Sequence, residues 1–150
     1  MVSPDLSPVV VLDTNAVLDW LVFGDPTCDL LGAAIASGQV RWLATRDMLA
    51  ELDAVLARDP LRCCYERSKR ALTAALSLVK LAEFEAYPTP AQAPRCRDVD
   101  DQKFIELAVC VGASSLLTRD RALLELRDHA QHLGVSIRTP AQWASEHARP

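Results

Sequence analysis

Two aspartates of this sequence lie at predicted strand-to-helix turns, a position from which side chains can meet at the edge of a sheet. Asp13 ends the segment Val9–Leu12, and Asp120 follows the segment 116–119. The carboxyl ends of strands in an open α/β sheet converge on one crevice, so we expect both carboxylates there. Asn15 could orient a water molecule or a neighbouring carboxylate. The simpler role for either aspartate is to cap the helix that follows it.

Two further carboxylates are expected on helices that face the same crevice. Glu51 lies at the edge of the apolar arc of a helix predicted over residues 46–57, although an exposed rim position is the simpler reading. Asp101 opens a later helix and falls in the middle of its apolar face. Burying an ionised carboxylate is costly unless it is paired or bound to a metal, so Asp101 needs a partner. Helix capping explains Asp98 and Asp100 better than it explains Asp101.

Four like charges in one crevice repel one another, raise one another's pKa values and destabilise the fold unless a cation is present. The set contains no His or Cys, so hard, oxygen-preferring Mg²⁺ or Mn²⁺, as one or two ions, is the expected partner. Such an ion can bind a phosphate, activate a water and stabilise the leaving oxygen. The pattern therefore favours phosphodiester hydrolysis.

The overall charge restricts any nucleic-acid contact to a local surface. The 150 residues include 16 Lys and Arg against 20 Asp and Glu, a net charge of −4, so no global field attracts a polyanion. Arg58, Arg62 and Lys69 share a helical face if helix resumes after Pro60. These three residues could hold RNA phosphates, or they could form an ordinary solvated face.

The elements that must position the acidic residues alternate between strand and helix patterns. Val9–Leu12 is wholly apolar, which predicts a central strand covered on both faces. Further strands are expected at 40–44, 78–82, 115–118 and 135–137, of which 78–82 could instead be helix. Helices are expected from Pro26 to Ser37-Gly38, from Thr45 to Asp59-Pro60, and after Thr139-Pro140. The alternation predicts an α/β sandwich with right-handed crossovers.

The length predicts one domain over residues 1–150. We see no signal peptide and no apolar run long enough to span a membrane. The five cysteines show no CxxC spacing, which is typical of buried thiols in a reducing compartment. We therefore expect a cytoplasmic protein without a membrane partner.

Four motifs, in this order, resemble the PIN-domain family of metal-dependent nucleases. They are VVLDTNAVL at 10–18, Glu51 in the helix after the second strand, RDVDDQKFIELA at 97–108, and LTRD at 117–120 followed by ALL at 122–124. The resemblance spans about residues 9–143. It implies a three-layer α/β/α sandwich with a five-stranded parallel sheet in the order 3-2-1-4-5. It also implies a Mg²⁺ or Mn²⁺ site, with family acidic positions at Asp13, Glu51, Asp101 and Asp120 and supporting polar positions at Asn15 and Thr118.

Within this family, the sequence is most similar to the toxins of bacterial toxin–antitoxin pairs. That similarity implies an endoribonuclease of the bacterial cytoplasm that acts on RNA, forms homodimers and is silenced by a small antitoxin protein. Asp98 and Asp100 depart from the toxin pattern. Asp98 is therefore a candidate additional acidic residue of the site.

The resulting hypothesis is a metal-dependent ribonuclease that promotes in-line attack of an activated water on RNA. In this hypothesis, Asp13, Glu51 and Asp101 bind the metal directly, and Asp120 contacts a second ion or its water. Asn15 positions Asp13, and Thr118 supports the nucleophilic water.

Two other classes of protein are alternatives: a phosphatase that also places an aspartate after an apolar strand, and an interaction module or receiver-like domain whose acidic residues bind Mg²⁺ for signalling. Haloacid-dehalogenase-like phosphatases have a second aspartate two residues later, where this chain has Asn15. Receiver-like interaction domains carry a lysine after a late strand, and none follows Leu116-Leu117-Thr118. Turnover of small phosphate esters through an aspartyl-phosphate would favour the phosphatase, and partner binding without RNA cleavage would favour the interaction domain.

Overall fold

A computed structural model of the chain describes residues 6–58, 69–70, 72–82 and 92–148. Within these residues, the strands form a five-stranded sheet in the order β3-β2-β1-β4-β5, and every neighbouring pair is parallel. The strands are β1 Val9–Leu12, β2 Arg41–Ala44, β3 Lys80–Leu81, β4 Ser115–Leu117 and β5 Ser136–Arg138. The α/β class, the parallel pairing and the 3-2-1-4-5 order are therefore confirmed.

Helices connect the strands, as parallel pairing requires. They are α1 Thr14–Leu21, α2 Asp29–Ala36, α3 Arg46–Leu56, α4 Gln102–Val111, α5 Arg121–Leu124, α6 Arg127–His132 and α7 Pro140–His147. Short 3-10 helices at Pro26–Cys28 and Val99–Asp101 precede α2 and α4, and residues 72–76 are also helical. Among the described helices, none has both the length and the apolar character needed to cross a membrane.

Both faces of the sheet are covered by helices. Val10 and Leu12 belong to a buried cluster with residues of α1, α2, α3 and α7, whereas Val9 and Val11 belong to a second cluster with α4, α5 and α6. Successive side chains of a strand point to opposite faces, so the continuous apolar run of β1 feeds both clusters. The result is the three-layer arrangement expected for this sequence.

The ends of the elements follow local signals. Thr45 caps α3 by accepting a hydrogen bond from the Met48 N–H, and Thr139 forms a capping box with Gln142 before Pro140. Gly38 takes a φ of +81° after α2, a conformation in which a Cβ is unfavourable. The predicted strand at 78–82 is shorter, at 80–81, and follows the helical residues 72–76. The predicted break at Asp59-Pro60 lies outside the described residues.

Candidate metal centre

Three aspartates converge at the carboxyl ends of β1 and β4. Asp13 directly follows β1, Asp120 precedes α5 after β4, and Asp101 is the last residue of the 3-10 helix before α4. One carboxylate oxygen from each lies within 4.8 Å of the others. Asp13 and Asp101 are buried, and Asp120 is half-buried. We call these three residues the aspartate triad.

Asp13 is held by hydrogen bonds to both of its carboxylate oxygens. Oδ1 accepts the backbone N–H of Thr14 at 2.6 Å, which caps α1. Oδ2 accepts the Thr118 hydroxyl at 2.7 Å and the Asn15 amide at 3.2 Å. The capping role and the site role of Asp13 are therefore compatible, because they use different oxygens.

Thr118 and Asn15 connect α1 to the turn after β4. The fully buried Thr118 hydroxyl donates its proton to Asp13 and accepts the backbone N–H of Asp120 at 2.9 Å. Asn15 Oδ1 accepts the backbone N–H of Arg119 at 3.1 Å. Asn15 thus contacts Asp13 as its predicted role requires. Thr118 here positions Asp13, and its expected contact with a nucleophilic water stays a prediction.

The pKa values of the three aspartates are shifted, as expected for carboxylates brought close together. Burial, the hydrogen bond with Asp120 and the charge of Asp13 together raise the pKa of Asp101 to about 8, and burial has the largest effect. The same hydrogen bond, donated by Asp101, lowers the pKa of Asp120. Burial also raises the pKa of Asp13, against the opposing effect of the Thr118 hydrogen bond. Without a cation, Asp101 therefore keeps its proton at neutral pH.

A divalent ion fits this donor set. Oδ2 of Asp101 is buried and receives no N–H or O–H donor from the described part of the chain. A buried carboxylate oxygen in that state needs a cation or a proton. The donors of the triad are all carboxylate oxygens, the ligands preferred by Mg²⁺ and Mn²⁺. The triad can therefore hold one such ion in exchange for the proton on Asp101.

Glu51 lies beside the triad but is not one of its three members. Its Oε2 accepts the Thr14 hydroxyl at 3.2 Å and lies 3.0 Å from the Lys103 ammonium nitrogen. Its negative charge contributes to the raised pKa of Asp13. The sequence analysis expected Glu51 as a direct ligand and Asp120 in a secondary role, whereas the structure places Asp120 in the compact group. Metal binding by Glu51 stays a prediction.

Two basic residues at the site were not among the predicted site residues. Lys103 forms the ion pair with Glu51. Arg119 makes two contacts with the buried Asp19 of α1, Nε–Oδ2 at 2.6 Å and Nη2–Oδ1 at 2.9 Å. One sequence signal could have pointed to the Arg119–Asp19 pair. Asp19 lies four residues after Asn15, so both side chains are on the same face of α1. Arg119 thereby ties the turn after β4 to α1.

The remaining predicted residues lie outside the triad. Asp98 is exposed and caps the 3-10 helix by accepting the Asp100 N–H at 3.0 Å, as the capping interpretation predicted. Arg58 and Lys69 are exposed. Arg62 lies outside the described residues, so the helical face shared by the three basic residues stays a prediction.

Comparison with known proteins gives one match. A family model described as PIN domain matches residues 9–122, more than half of the chain, and this range contains the aspartate triad and Glu51. No curated protein and no solved structure matches the chain. The classification therefore depends on the family match together with the sheet order and the convergence of the aspartates.

Proposed function

This chain belongs to the PIN-domain family, and on that basis we propose that it is a metal-dependent endoribonuclease. The observation that carries the proposal is the aspartate triad, in which one carboxylate oxygen of each residue lies within 4.8 Å of the others and Asp101 has a buried oxygen without a donor among the described residues. A bound Mg²⁺ or Mn²⁺ would supply Lewis-acid stabilisation of phosphate charge and would lower the pKa of a water.

The chain's own residues have separate tasks in this proposal. Asp13, Asp101 and Asp120 hold the ion. Thr118 and Asn15 fix the Asp13 carboxylate from one side through the hydrogen bonds at 2.7 and 3.2 Å. Partners of this kind orient a ligand and increase its basicity. The Asp13 carboxylate is thus held in place before an ion arrives.

The basic residues Arg58, Arg62 and Lys69 are our candidates for contact with RNA phosphates outside the triad. Arg58 follows the last turn of α3, and Glu51 lies on the same helix. The net charge of −4 supports a local contact rather than a general affinity for nucleic acids.

We further propose that the chain is one PIN domain, with its core at about 9–143, that acts as a toxin in the bacterial cytoplasm. The RNA substrate, a small antitoxin protein and a second copy of the chain are its proposed partners. The support is the similarity of the motifs at 10–18 and 97–108 to those of such toxins, from which Asp98 and Asp100 depart. A neighbouring reading frame for a small DNA-binding protein whose co-expression restores growth would support this role. Growth that is unaffected by expression of the chain alone would contradict it.

The test of nuclease activity is cleavage of an unstructured RNA in the presence of Mn²⁺. We expect Asp13→Asn to reduce the cleavage rate about a hundredfold or more, since even residues that only support a metal ligand cost about 10–100-fold. Asp53→Asn makes the same charge change at an exposed position on α3 and should cleave like the wild type.

Equal cleavage by wild type and Asp13→Asn, with both proteins folded by circular dichroism, would reject the assignment. Turnover of small phosphate esters with no cleavage of RNA would instead indicate a phosphatase.

A further inference from the structure

Lys103 holds a positive charge beside the aspartate triad. Its Nζ lies 3.0 Å from Glu51 Oε2 and donates a hydrogen bond to the backbone carbonyl oxygen of Asp100 at 3.0 Å. The same nitrogen lies over the ring of Phe104, 5.2 Å from the ring centroid, a distance typical of a cation–π contact. Phe104 is buried, so its ring is a fixed surface. Three separate contacts therefore anchor the ammonium group.

Glu51 is already engaged by this ammonium and by its neighbour on α1. Its Oε2 receives the Thr14 hydroxyl as well as the Lys103 ammonium, and Thr14 is the residue next to Asp13. The side chains of Glu51 and Lys103 are 31% and 30% exposed, so the pair is partly shielded from solvent. The Glu51 carboxylate is therefore already paired with a cation before any metal ion binds.

The formal charge of the triad with Glu51 and Lys103 changes sign between one bound ion and two. The three aspartates carry a formal charge of −3 when ionised, and Glu51 and Lys103 cancel each other. One divalent ion brings the local sum to −1. A second ion would bring it to +1 and would have to compete with the Lys103 ammonium for the Glu51 carboxylate.

The described ligands also favour one ion. Two-metal sites place their ions about 3.5–4 Å apart, so a second ion needs carboxylates of its own beside the first set. Beside the triad, Glu51 is bound to Lys103. Asp98 is exposed and is not one of the three carboxylates that converge.

We propose that this site binds a single divalent ion and that the Lys103 ammonium stands in for a second one. The proposal depends on the proposed function in one respect, that the triad binds metal. An ammonium group has three N–H donors, and the contacts with Glu51 and Asp100 use two. In this proposal, the third N–H would donate to a non-bridging oxygen of the RNA phosphate.

The test is the number of Mn²⁺ ions bound per chain, measured by calorimetric titration and by electron paramagnetic resonance of free Mn²⁺. We expect one ion for the wild type and two for Lys103→Met, which keeps an unbranched apolar side chain but frees Glu51. Lys80→Met makes the same charge change at an exposed position on β3 and should bind one ion. Adding Glu51→Gln to Lys103→Met should restore one ion, which would place the second ion at Glu51.

Two ions bound to the wild type would overturn this inference and leave the proposed function intact. One ion bound to Lys103→Met would overturn it as well, because another group would then exclude the second ion. If Lys103→Met does not fold, Lys103→Gln replaces it in the same comparison. A folded wild type that binds no Mn²⁺ would overturn the metal site itself, and this inference with it.

Discussion

At the scale of single residues, Asp13 shows how one carboxylate can serve both the fold and the site. Oδ1 caps α1 through the Thr14 N–H, and Oδ2 receives Thr118 and Asn15. An ionised carboxylate offers about four lone-pair positions, so these three hydrogen bonds leave capacity for an ion. The donors also offset part of the cost of burying the charge of Asp13.

Thr118→Val tests the contribution of the buried hydroxyl. Valine keeps the shape of the side chain but removes the donor to Asp13 and the acceptor for the Asp120 N–H. Because the Thr118 hydrogen bond is the largest effect that lowers the pKa of Asp13, its loss should raise that pKa further. We expect Mn²⁺ affinity, measured by calorimetry, to fall about 10–100-fold.

The matched control for this substitution is Thr73→Val. The exposed Thr73 hydroxyl donates to the backbone carbonyl oxygen of Lys69, outside the triad. Its loss should leave the Mn²⁺ dissociation constant unchanged. An unchanged dissociation constant for Thr118→Val would show that the hydroxyl does not support the ligand.

At the scale of elements, the packing of α1 against α2 positions the helix that begins at Asp13. A Cβ built on Gly32 of α2 would lie 2.5 Å from Trp20 Nε1, so the indole of Trp20 lies directly over this glycine. The Trp20 ring also contacts Trp42 of β2 edge-on, with ring centroids 5.7 Å apart. Since Trp42 is buried, Trp20 has little freedom to move away from Gly32.

Gly32→Ala tests this close approach. In a helix without such a contact, replacing Gly by Ala stabilises the helix by about 0.8–1 kcal/mol. Here the added methyl group displaces the indole, and overpacking costs about 1–3 kcal/mol. We therefore expect a lower free energy of unfolding, measured by urea denaturation.

The sign of the effect should reverse when Trp20 is removed. In the Trp20→Ala background, Gly32→Ala should stabilise the protein, because only the helix preference remains. Stabilisation of the wild-type background by Gly32→Ala would mean that the helices separate without cost.

At the scale of the whole molecule, the raised pKa values make stability depend on pH. The pKa of Asp101 is about 8 in the folded protein, against an ordinary value of 3.8. Between these values the folded state holds a proton that the unfolded state has released. By linkage, the stability of the metal-free protein falls as pH rises from about 4 to about 8. Asp13, whose pKa is also raised, acts in the same direction.

Mn²⁺ should therefore stabilise the protein more at pH 8 than at pH 6. Metal binding must displace the proton of Asp101, so binding is opposed below the pKa of that group. A ligand present at about one hundred times its dissociation constant adds about 2.7 kcal/mol to the free energy of unfolding. For a chain of this size, each increase of about 1 kcal/mol raises the melting temperature by about 2–4 °C. Scanning calorimetry with and without Mn²⁺ at the two pH values measures the difference. Equal shifts of the melting temperature at pH 6 and pH 8 would contradict the exchange of the Asp101 proton for Mn²⁺.

The fold and its element ends were largely predictable because their signals are local. The apolar run Val9–Leu12 indicates a doubly covered strand, and Thr45 and Thr139 mark helix starts through hydrogen bonds to residues only a few positions away. Helical periodicity also predicted that Asp101 points inward, and it is buried. The 3-2-1-4-5 order came from the family resemblance of the motifs.

The sequence by itself indicated which acidic side chains point toward the carboxyl edge of the sheet, but only the tertiary structure decided which of them touch and which basic residues join them. Helical periodicity predicts the side of its helix on which Glu51 or Asp101 lies. It contains no information about the distance between the two helices. That distance depends on how α3, α4 and the sheet pack together. Asp120 consequently joins Asp13 and Asp101 within 4.8 Å, while Glu51 pairs with Lys103 at 3.0 Å. Pairings between distant residues are set by packing, and no local pattern encodes them.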